Sequence, residues 1–310
     1  MYRLNATELA LLREVQGGRD RLEDIARAIG RSPSTASEVA SGLVGKGFLE
    51  REKRGMARRL AFSGNAFVSP FRDMLSRRLP LQEWLIDSGL PILSVLSGTG
   101  DDLRAADIAL RTGLSPATVR NYLPTAMRRG VVKKTQNGYR LSAGMNVLLD
   151  FLDRYAEFAS GRALRSFSAN AVLRRRIGFE FIFTVPADGV LKGGFPTGVT
   201  AFTKRGVLIR SNLDYYHYTP FRYKAGLEDY ILDCAVAERM SVNNLTYSLI
   251  FLKKRRRKVS AERLRAVGRV LGAAELAGNM LRFVDDGASG LPGFPRREEF
   301  DEKYFMYGDR

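Results

Sequence analysis

Apolar residues recur at helical spacing through the first part of the chain. ELALLREV (8–15) and RLEDIARAIG (21–30) carry apolar residues three and four positions apart, which predicts two amphipathic helices. Ser32 followed by Pro33 is typical of a helix start, and predicts a third helix over STASEVASGLVGKG. FLERE and ARRLAFS have the composition of short strands, and Gly55 between them predicts a β-hairpin.

The same order of elements recurs 83 residues later. DIARAIGRSP (24–33) and DIALRTGLSP (107–116) are nearly identical, and Gly47 and Gly130 keep the same offset. LQEWLIDSGLPILSVLSG, RAADIALRTG and SPATVRNYLPTAMRRG predict the helices of the second copy, and Asn137-Gly138 in VVKKTQNGYRLS predicts its hairpin turn. Such a repeat indicates one supersecondary unit used twice. Three helices followed by a two-stranded wing form a winged helix-turn-helix.

The remaining segments predict two more helices and a separate domain. AFVSPFRDMLSRRLP predicts a connecting helix, and AGMNVLLDFLDRYAEFASGRAL a helix that packs on the second module or pairs with its copy in a dimer. RIGFEFIFTVP, GVTAFTKRGVLIRS and YYHYTPF predict a small sheet. DYILDCAVAERM, NLTYSLIFLKKRRRK and the segment beginning at Ser260 predict helices, and GASGLPGFP predicts a loop before a charged tail.

We therefore expect an α+β multidomain protein, in which two N-terminal winged helix-turn-helix modules precede a small mixed α+β domain. The predicted parts are a first winged helix at 1–66, a connecting helix at 67–80, a second winged helix at 81–143, a linker helix at 144–164 and a C-terminal domain at 165–310.

Net charge narrows the choice of partner. The 310 residues contain 50 Lys and Arg against 33 Asp and Glu, a net charge of +17, which favours a polyanion or an acidic membrane surface. No apolar run is long enough to span a membrane, and charges at Glu8, Arg13 and Glu14 interrupt the N-terminal stretch where a signal peptide would be apolar. We expect a cytoplasmic protein that does not act at a membrane.

The repeated phrase carries a family resemblance. D-I-A-x-x-x-G-x-S-P-x-T, present at 24–35 and at 107–118, resembles the turn and recognition-helix start of MarR-like and ArsR-like transcriptional regulators, over roughly residues 5–62 and 81–142. The whole arrangement resembles archaeal winged-helix regulators with an additional C-terminal domain. FPTGVTAFTKRG and TPFRYKAGLEDYILDC have a looser similarity to AbiE-type antitoxin regulators. Because winged helices also dock proteins, a protein partner remains an alternative to DNA.

If the modules bind DNA, the outward face of each third helix enters the major groove. In the first copy the candidates are the short hydroxyls Ser34, Thr35, Ser37 and Ser41, with Glu38 as a partner for a cytosine amino group. In the second copy they are Ala117, Thr118, Arg120 and Asn121; arginine suits guanine and asparagine suits adenine. The second copy has the better base-reading chemistry, although Pro124 predicts a kink or an end of its helix. The alternative is that these residues are only a solvated helix face.

The hairpins and one C-terminal segment supply candidate phosphate contacts. The wing candidates are Arg51, Lys53, Arg54, Arg58 and Arg59 in the first copy, and Lys133, Lys134, Asn137 and Arg140 in the second. The densest basic run comprises Lys253, Lys254, Arg255, Arg256, Arg257 and Lys258. Charged wing edges also prevent aggregation, and cations also suit the end of a helix, so each set has a structural alternative.

Catalytic and metal chemistry find little support in the sequence. GGFPTG (193–198) lacks the paired aspartates of a nucleotidyltransferase, and Asp214 and Asp285-Asp286 do not replace them. His217 and Cys234 are the only histidine and the only cysteine, so a catalytic dyad, a disulfide framework and a usual zinc site are not expected. YYHYTPFRY (215–223) suits a domain core better than a pocket for stacked bases.

We therefore expect a DNA-binding regulator without a cofactor or enzymatic activity. Its partner is double-stranded DNA, its C-terminal domain binds an effector or a protein, and it represses by occupying an operator; a homodimer stays open. The alternatives are an antitoxin-like docking protein and, less favoured, a nucleotidyltransferase-like enzyme.

Overall fold

The computed structural model describes residues 3–54, 57–187, 191, 193–238, 241–288 and 292–308. Within these ranges the chain forms helical units in its N-terminal half and a sheet-containing domain in its C-terminal half. None of the helices in the described ranges is both long enough and apolar enough to cross a membrane.

The first unit consists of three helices and a hairpin. Its elements are α1 (Ala6–Gln16), α2 (Leu22–Ala28), α3 (Pro33–Gly45), β1 (Leu49–Arg54) and β2 (Ala57–Phe62). The two strands pair antiparallel, with Leu49 opposite Phe62. The order of elements is the predicted one, whereas the predicted turn at Gly55 lies outside the described residues.

The second unit follows a connecting helix and repeats the arrangement. The elements are the connecting helix α4 (Val68–Ser76), then α5 (Leu81–Leu85), α6 (Gly89–Ser97), α7 (Ala105–Thr112), α8 (Pro116–Arg128), β3 (Val132–Lys134) and β4 (Tyr139–Leu141). The predicted first helix of this copy is therefore split in two, because Ile86 is extended and Asp87 has a φ of 53°. Of the kink or end predicted at Pro124, the end is wrong, since α8 continues to Arg128 with this exposed proline inside it.

A long helix, α9 (Asn146–Phe167), joins the two units. Phe151 and Tyr155 on its buried face lie among aromatic rings of the first unit and of α4: the Phe48 ring is 5.2 Å from that of Tyr155, and the Phe71 ring is 5.4 Å from that of Phe151. The same helix also contacts α6. It therefore packs within the chain, on both units and not on the second one alone.

The C-terminal domain contains an antiparallel sheet covered by helices. Its strands are β5 (Val172–Ile177), β6 (Glu180–Pro186), β7 (Phe195–Pro196) and β8 (Leu213–Tyr218), in the order β5-β6-β8-β7. Its helices are α10 (Gly198–Thr203), α11 (Leu227–Ala237), α12 (Val242–Arg255), α13 (Ala261–Val270), α14 (Ala274–Asp285) and α15 (Arg297–Gly308). The mixed α+β class is confirmed.

Two local predictions for this domain are wrong, and the charged tail contains a helix that was not predicted. GVTAFT is the helix α10 and not a strand, because its apolar residues Val199, Ala201 and Phe202 are buried together beside α11 and α12. The helical segment after Ser260 is divided at Gly272, which has a φ of 63°. The charged tail includes the helix α15, whose Phe300 is fully buried against Phe283.

Candidate nucleic-acid interface

The third helices of the two units begin in the same way. Ser32 Oγ accepts a hydrogen bond from the Thr35 amide at 3.2 Å, and Ser115 Oγ accepts one from the Thr118 amide at 3.0 Å. In each case the two hydroxyls also lie within 2.9 Å of each other. These caps satisfy an amide that a helix start leaves unpaired, so they fix where α3 and α8 begin. The hydroxyls of Thr35 and Thr118 are consequently part of the caps.

The turn before each third helix is also repeated. Gly30 and Gly113 have φ angles of 63° and 65°, a left-handed conformation that favours glycine. Each wing is tied to the segment before the second helix: the Leu60 amide donates to the Asp20 carbonyl at 2.8 Å, and Leu103 and Tyr139 pair through their backbones. The short-range signals in the repeat therefore produce two units with matching backbone geometry.

On α3 the predicted contact face consists of small polar residues. Ser34, Glu38 and Ser41 are exposed, and Ser37 is half-buried. Ser41 Oγ donates to the Ser37 carbonyl at 2.7 Å and accepts from Arg51 at 2.6 Å, so it links the helix to the wing. No long cationic side chain extends from the first turns of α3.

On α8 the corresponding face carries longer side chains. Ala117, Arg120 and Asn121 are exposed, and Thr118 is half-buried. Arg120 Nε donates to the Pro116 carbonyl at 3.2 Å. The first turns of α8 therefore carry an exposed guanidinium and an exposed carboxamide.

The wing candidates divide into exposed cations and paired ones. Lys53, Lys133 and Lys134 are exposed, as is Asn137 at the second turn. Arg59 is bound to Asp20 at 2.6 Å and Arg140 to Asp102 at 2.6 Å, so part of their charge is already used within the protein. Hydrogen bonds from Arg140 and Thr135 hold the pKa of Asp102 below its usual range.

Two more candidates belong to the first wing, Arg54 and Arg58. Their side chains lie outside the described residues.

The basic run 253–258 is mostly engaged inside the C-terminal domain. Lys253 lies 3.3 Å from Asp301 and 4.2 Å from the centre of the Tyr304 ring. Lys254 donates to the Gly206 carbonyl at 3.0 Å, Arg255 donates to the Arg205 carbonyl, and Arg256 binds Asp285 at 2.5 Å. Only Arg257 and Lys258 of the six are exposed. Contacts within the C-terminal domain therefore account for most of this run.

The second unit differs from the first in one respect that the sequence did not reveal: its α7 is buried by the C-terminal domain. Asp107 accepts two hydrogen bonds from Arg269 of α13, each 2.8 Å long. At the equivalent place in the first unit, Asp24 is exposed. The two copies of nearly the same phrase therefore have different surroundings.

Arg111 is the centre of this contact and is 1% exposed. Its Nε donates to Glu180 at 2.7 Å, its Nη1 to Asp229 at 3.1 Å, and its Nη2 lies 3.0 Å from His217 Nε2. Its guanidinium carbon also lies 4.6 Å from the centre of the Tyr223 ring. Burial opposes the charged form, but the carboxylates and Tyr223 outweigh it and raise the pKa of Arg111. We call Arg111, Glu180, His217, Asp229 and Asp233 the junction cluster.

His217 contributes to the balance of charge in the junction cluster. Its Nδ1 lies 2.8 Å from Asp233 and its Nε2 3.4 Å from Glu180. Burial and the charge of Arg111 act to lower the pKa of His217, but Asp233 and Glu180 prevail and raise it to about 9. When the His217 ring is protonated, the junction cluster contains two cations, Arg111 and His217. They face three buried carboxylates, those of Glu180, Asp229 and Asp233. The aromatic stretch around it is core, as predicted, with Tyr215 and Tyr216 buried.

A cavity of about 620 Å³ lies in the C-terminal domain, and Asp101 of the second unit borders it. Its wall includes apolar residues of α11, α12 and α14, among them Ala235, Leu245 and Leu276. Asp101, from the second unit, and Arg175, from β5, add polar groups to the wall. The volume is in the range of small-molecule sites in proteins.

Comparison with known families identifies the helical units. A model of the IclR helix-turn-helix domain matches residues 9–53 and 86–136, which hold most of α1, all of α2 and α3 and most of β1 in the first unit, and α6 to β3 in the second. A search of curated proteins and a search of solved structures each found no match. The matched domain type is IclR, and a MarR-like or ArsR-like type stays a prediction. The chain therefore contains the helix-turn-helix domain of DNA-binding transcriptional regulators.

Proposed function

We propose that the protein is a sequence-specific transcriptional regulator that places both third helices in the major groove of double-stranded DNA and acts by occupying an operator. The observation that carries this proposal is the exposed start of each third helix within the segments that match the helix-turn-helix domain. The wings supply phosphate contacts through the exposed Lys53, Lys133 and Lys134.

The two helices have different tasks in this proposal. Arg120 and Asn121 on α8 have the hydrogen-bonding groups that distinguish guanine and adenine. The short hydroxyls of α3 suit phosphates and general contact with the groove. The second unit therefore provides most of the sequence discrimination, and the first unit mainly provides affinity.

Fluorescence anisotropy with labelled duplexes tests the proposal. The wild-type protein is titrated with random DNA and with the DNA upstream of its own gene, across a salt series. We expect tighter binding to the upstream DNA that persists at physiological salt. Equal and steeply salt-dependent binding to both duplexes would contradict sequence-specific regulation.

Two variants separate base reading from phosphate contact. Arg120→Ala removes the base-reading guanidinium and is expected to lose about 1–3 kcal/mol of discrimination at one base pair. Lys133→Ala is expected to weaken binding to all sequences alike and to reduce the salt slope by about 1. Arg128→Ala, at the far end of the same helix, is the matched control for the loss of one positive charge.

The cavity in the C-terminal domain favours a small effector as the partner of this domain. Because Asp101 of the second unit lines it together with Arg175 of the C-terminal domain, a bound molecule would touch both parts of the protein. A thermal-shift screen of metabolites, run in parallel on Ala235→Trp, tests this function. Stabilisation of the wild type that the cavity-filling variant loses is the expected result. Equal responses of the two proteins to every compound would contradict it.

A further inference from the structure

The C-terminal domain has a loop that lies directly against the turn of the second unit. This junction loop, residues 219–226 (TPFRYKAG), follows β8 and leads into α11. A Cβ atom at Gly113 would be 2.1 Å from the carbonyl oxygen of Arg222, so only glycine fits there. At the equivalent Gly30 of the first unit, no described atom lies within 4 Å of such a Cβ. The close approach is therefore particular to the second unit.

The junction loop is held in place from the inside. The Tyr223 hydroxyl donates to Asp229, and the Tyr223 ring faces the guanidinium of Arg111. The Lys224 carbonyl accepts from Arg263 at 3.2 Å, and the Gly226 amide donates to Asp229 at 2.8 Å. These contacts fix the backbone on both sides of Tyr223, so the loop is organised before any ligand arrives.

The side chains of the two residues beside Tyr223 are exposed to solvent. Arg222 and Lys224 are exposed, whereas Tyr223 between them is partly buried. Within the described part of the chain, neither cationic side chain forms an ion pair, in contrast to Arg111, Arg263 and Arg269 nearby. The loop therefore presents two available positive charges on a fixed backbone.

The backbone of Arg222 lies close to the turn before α8. Gly113 is two residues before Ser115, the cap at which α8 begins, and the start of a recognition helix is the end that approaches the base edges. The phosphates that border the groove pass beside this end of the helix. We propose that Arg222 and Lys224 bind DNA backbone phosphates next to the groove that α8 reads, which makes the C-terminal domain part of the DNA interface. This inference rests on the proposed function.

The salt dependence of DNA binding tests the proposal directly. Each lost phosphate contact lowers the slope of log K against log salt by about 0.9, which corresponds to about 8-fold weaker binding at 0.1 M salt. Arg222→Ala and Lys224→Ala are each expected to show this loss on specific and random duplexes alike, and the double variant about twice the change in slope. Arg222→Lys, which keeps the charge, is expected to retain most of the affinity.

Controls separate a local contact from a general loss of charge. Arg210→Ala removes an exposed arginine of the same domain that lies before β8, and it is expected to leave the salt slope unchanged. The melting temperature of each variant shows whether the fold is intact. If Arg222→Ala and Arg210→Ala have the same slope as the wild type while Lys133→Ala lowers it, this inference is wrong and the proposed function stands. If the wild type binds no DNA, the proposed function itself fails.

Discussion

Removal of Arg111 is the sharpest test of how the second unit is joined to the C-terminal domain. Arg111→Met keeps much of the volume and removes the charge, so Glu180 and Asp229 lose the buried cation that both of them contact. Breaking a buried ion pair by removing one partner costs about 3–5 kcal/mol. The cost arises because the carboxylates stay buried and lose their compensation.

This free energy converts into a measurable shift of the melting temperature. The entropy of unfolding is about 2.1 cal/mol/K per residue, or about 0.65 kcal/mol/K for 310 residues that unfold together. The melting temperature of Arg111→Met is therefore expected to fall by about 5–8 °C. Differential scanning calorimetry measures both the shift and the cooperativity of unfolding.

The control is Arg128→Met, which changes an exposed arginine of α8 in the same unit. A surface substitution of this kind is worth about 0.5 kcal/mol or less, which is a shift below about 1 °C. Adding Glu180→Gln to Arg111→Met is expected to recover part of the loss, because one uncompensated carboxylate is then neutral. Equal melting temperatures for Arg111→Met and Arg128→Met would refute the stabilising role of the junction cluster.

Three further predictions concern His217 and the differences between the two copies. NMR of His217, the only histidine, is expected to give a pKa of about 9. Because this pKa exceeds the ordinary value, the protonated ring stabilises the fold fully below about pH 6.5, and this stabilisation is lost as the pH rises through 9. His217→Gln is expected to flatten this pH dependence, and a measured pKa below 6.5 would contradict the charge balance in the junction cluster. Gly113→Ala is expected to lower the free energy of unfolding by about 2–5 kcal/mol, through backbone strain and the 2.1 Å approach, and Gly30→Ala by only about 1–2 kcal/mol, as urea denaturation measures. Asp107→Asn weakens the ion pair to Arg269 and is expected to lower the free energy of unfolding by about 1–3 kcal/mol. The control Asp24→Asn changes an exposed residue and is expected to lower it by about 0.5 kcal/mol or less. Similar values for the two variants would show that the ion pair does not hold α7 in place.

The predictions that succeeded rest on short-range signals. The Ser-Pro starts, the left-handed glycines and the apolar spacing define α2, α3, α7 and α8, because helix caps and turns depend on neighbours within a few residues. Predictions that failed depend on distant partners. Residues Gly198–Thr203 form a helix because the core beside α11 and α12 accepts their apolar side chains, although their β-branched composition resembles a strand.

The candidate site shows the same division. Five candidate contact residues are exposed, as their place in the repeated pattern predicts: Arg120, Asn121, Lys53, Lys133 and Lys134. The use of Arg59 and Arg140 in ion pairs was not predictable, because Asp20 and Asp102 become their neighbours only when the wing folds back. Their assignment, and that of the other candidate contact residues, to DNA stays a prediction.

The sequence by itself determined that the chain contains a repeated unit of helices and a hairpin, which third-helix residues point outward, and that the net charge favours a polyanion. These properties follow from local spacing and composition. Only the tertiary structure decided that the two copies differ in use. Burial of Arg111 and the approach of the junction loop to Gly113 require residues more than a hundred positions away, so the position of the second unit is a property of the folded chain and not of the repeated phrase.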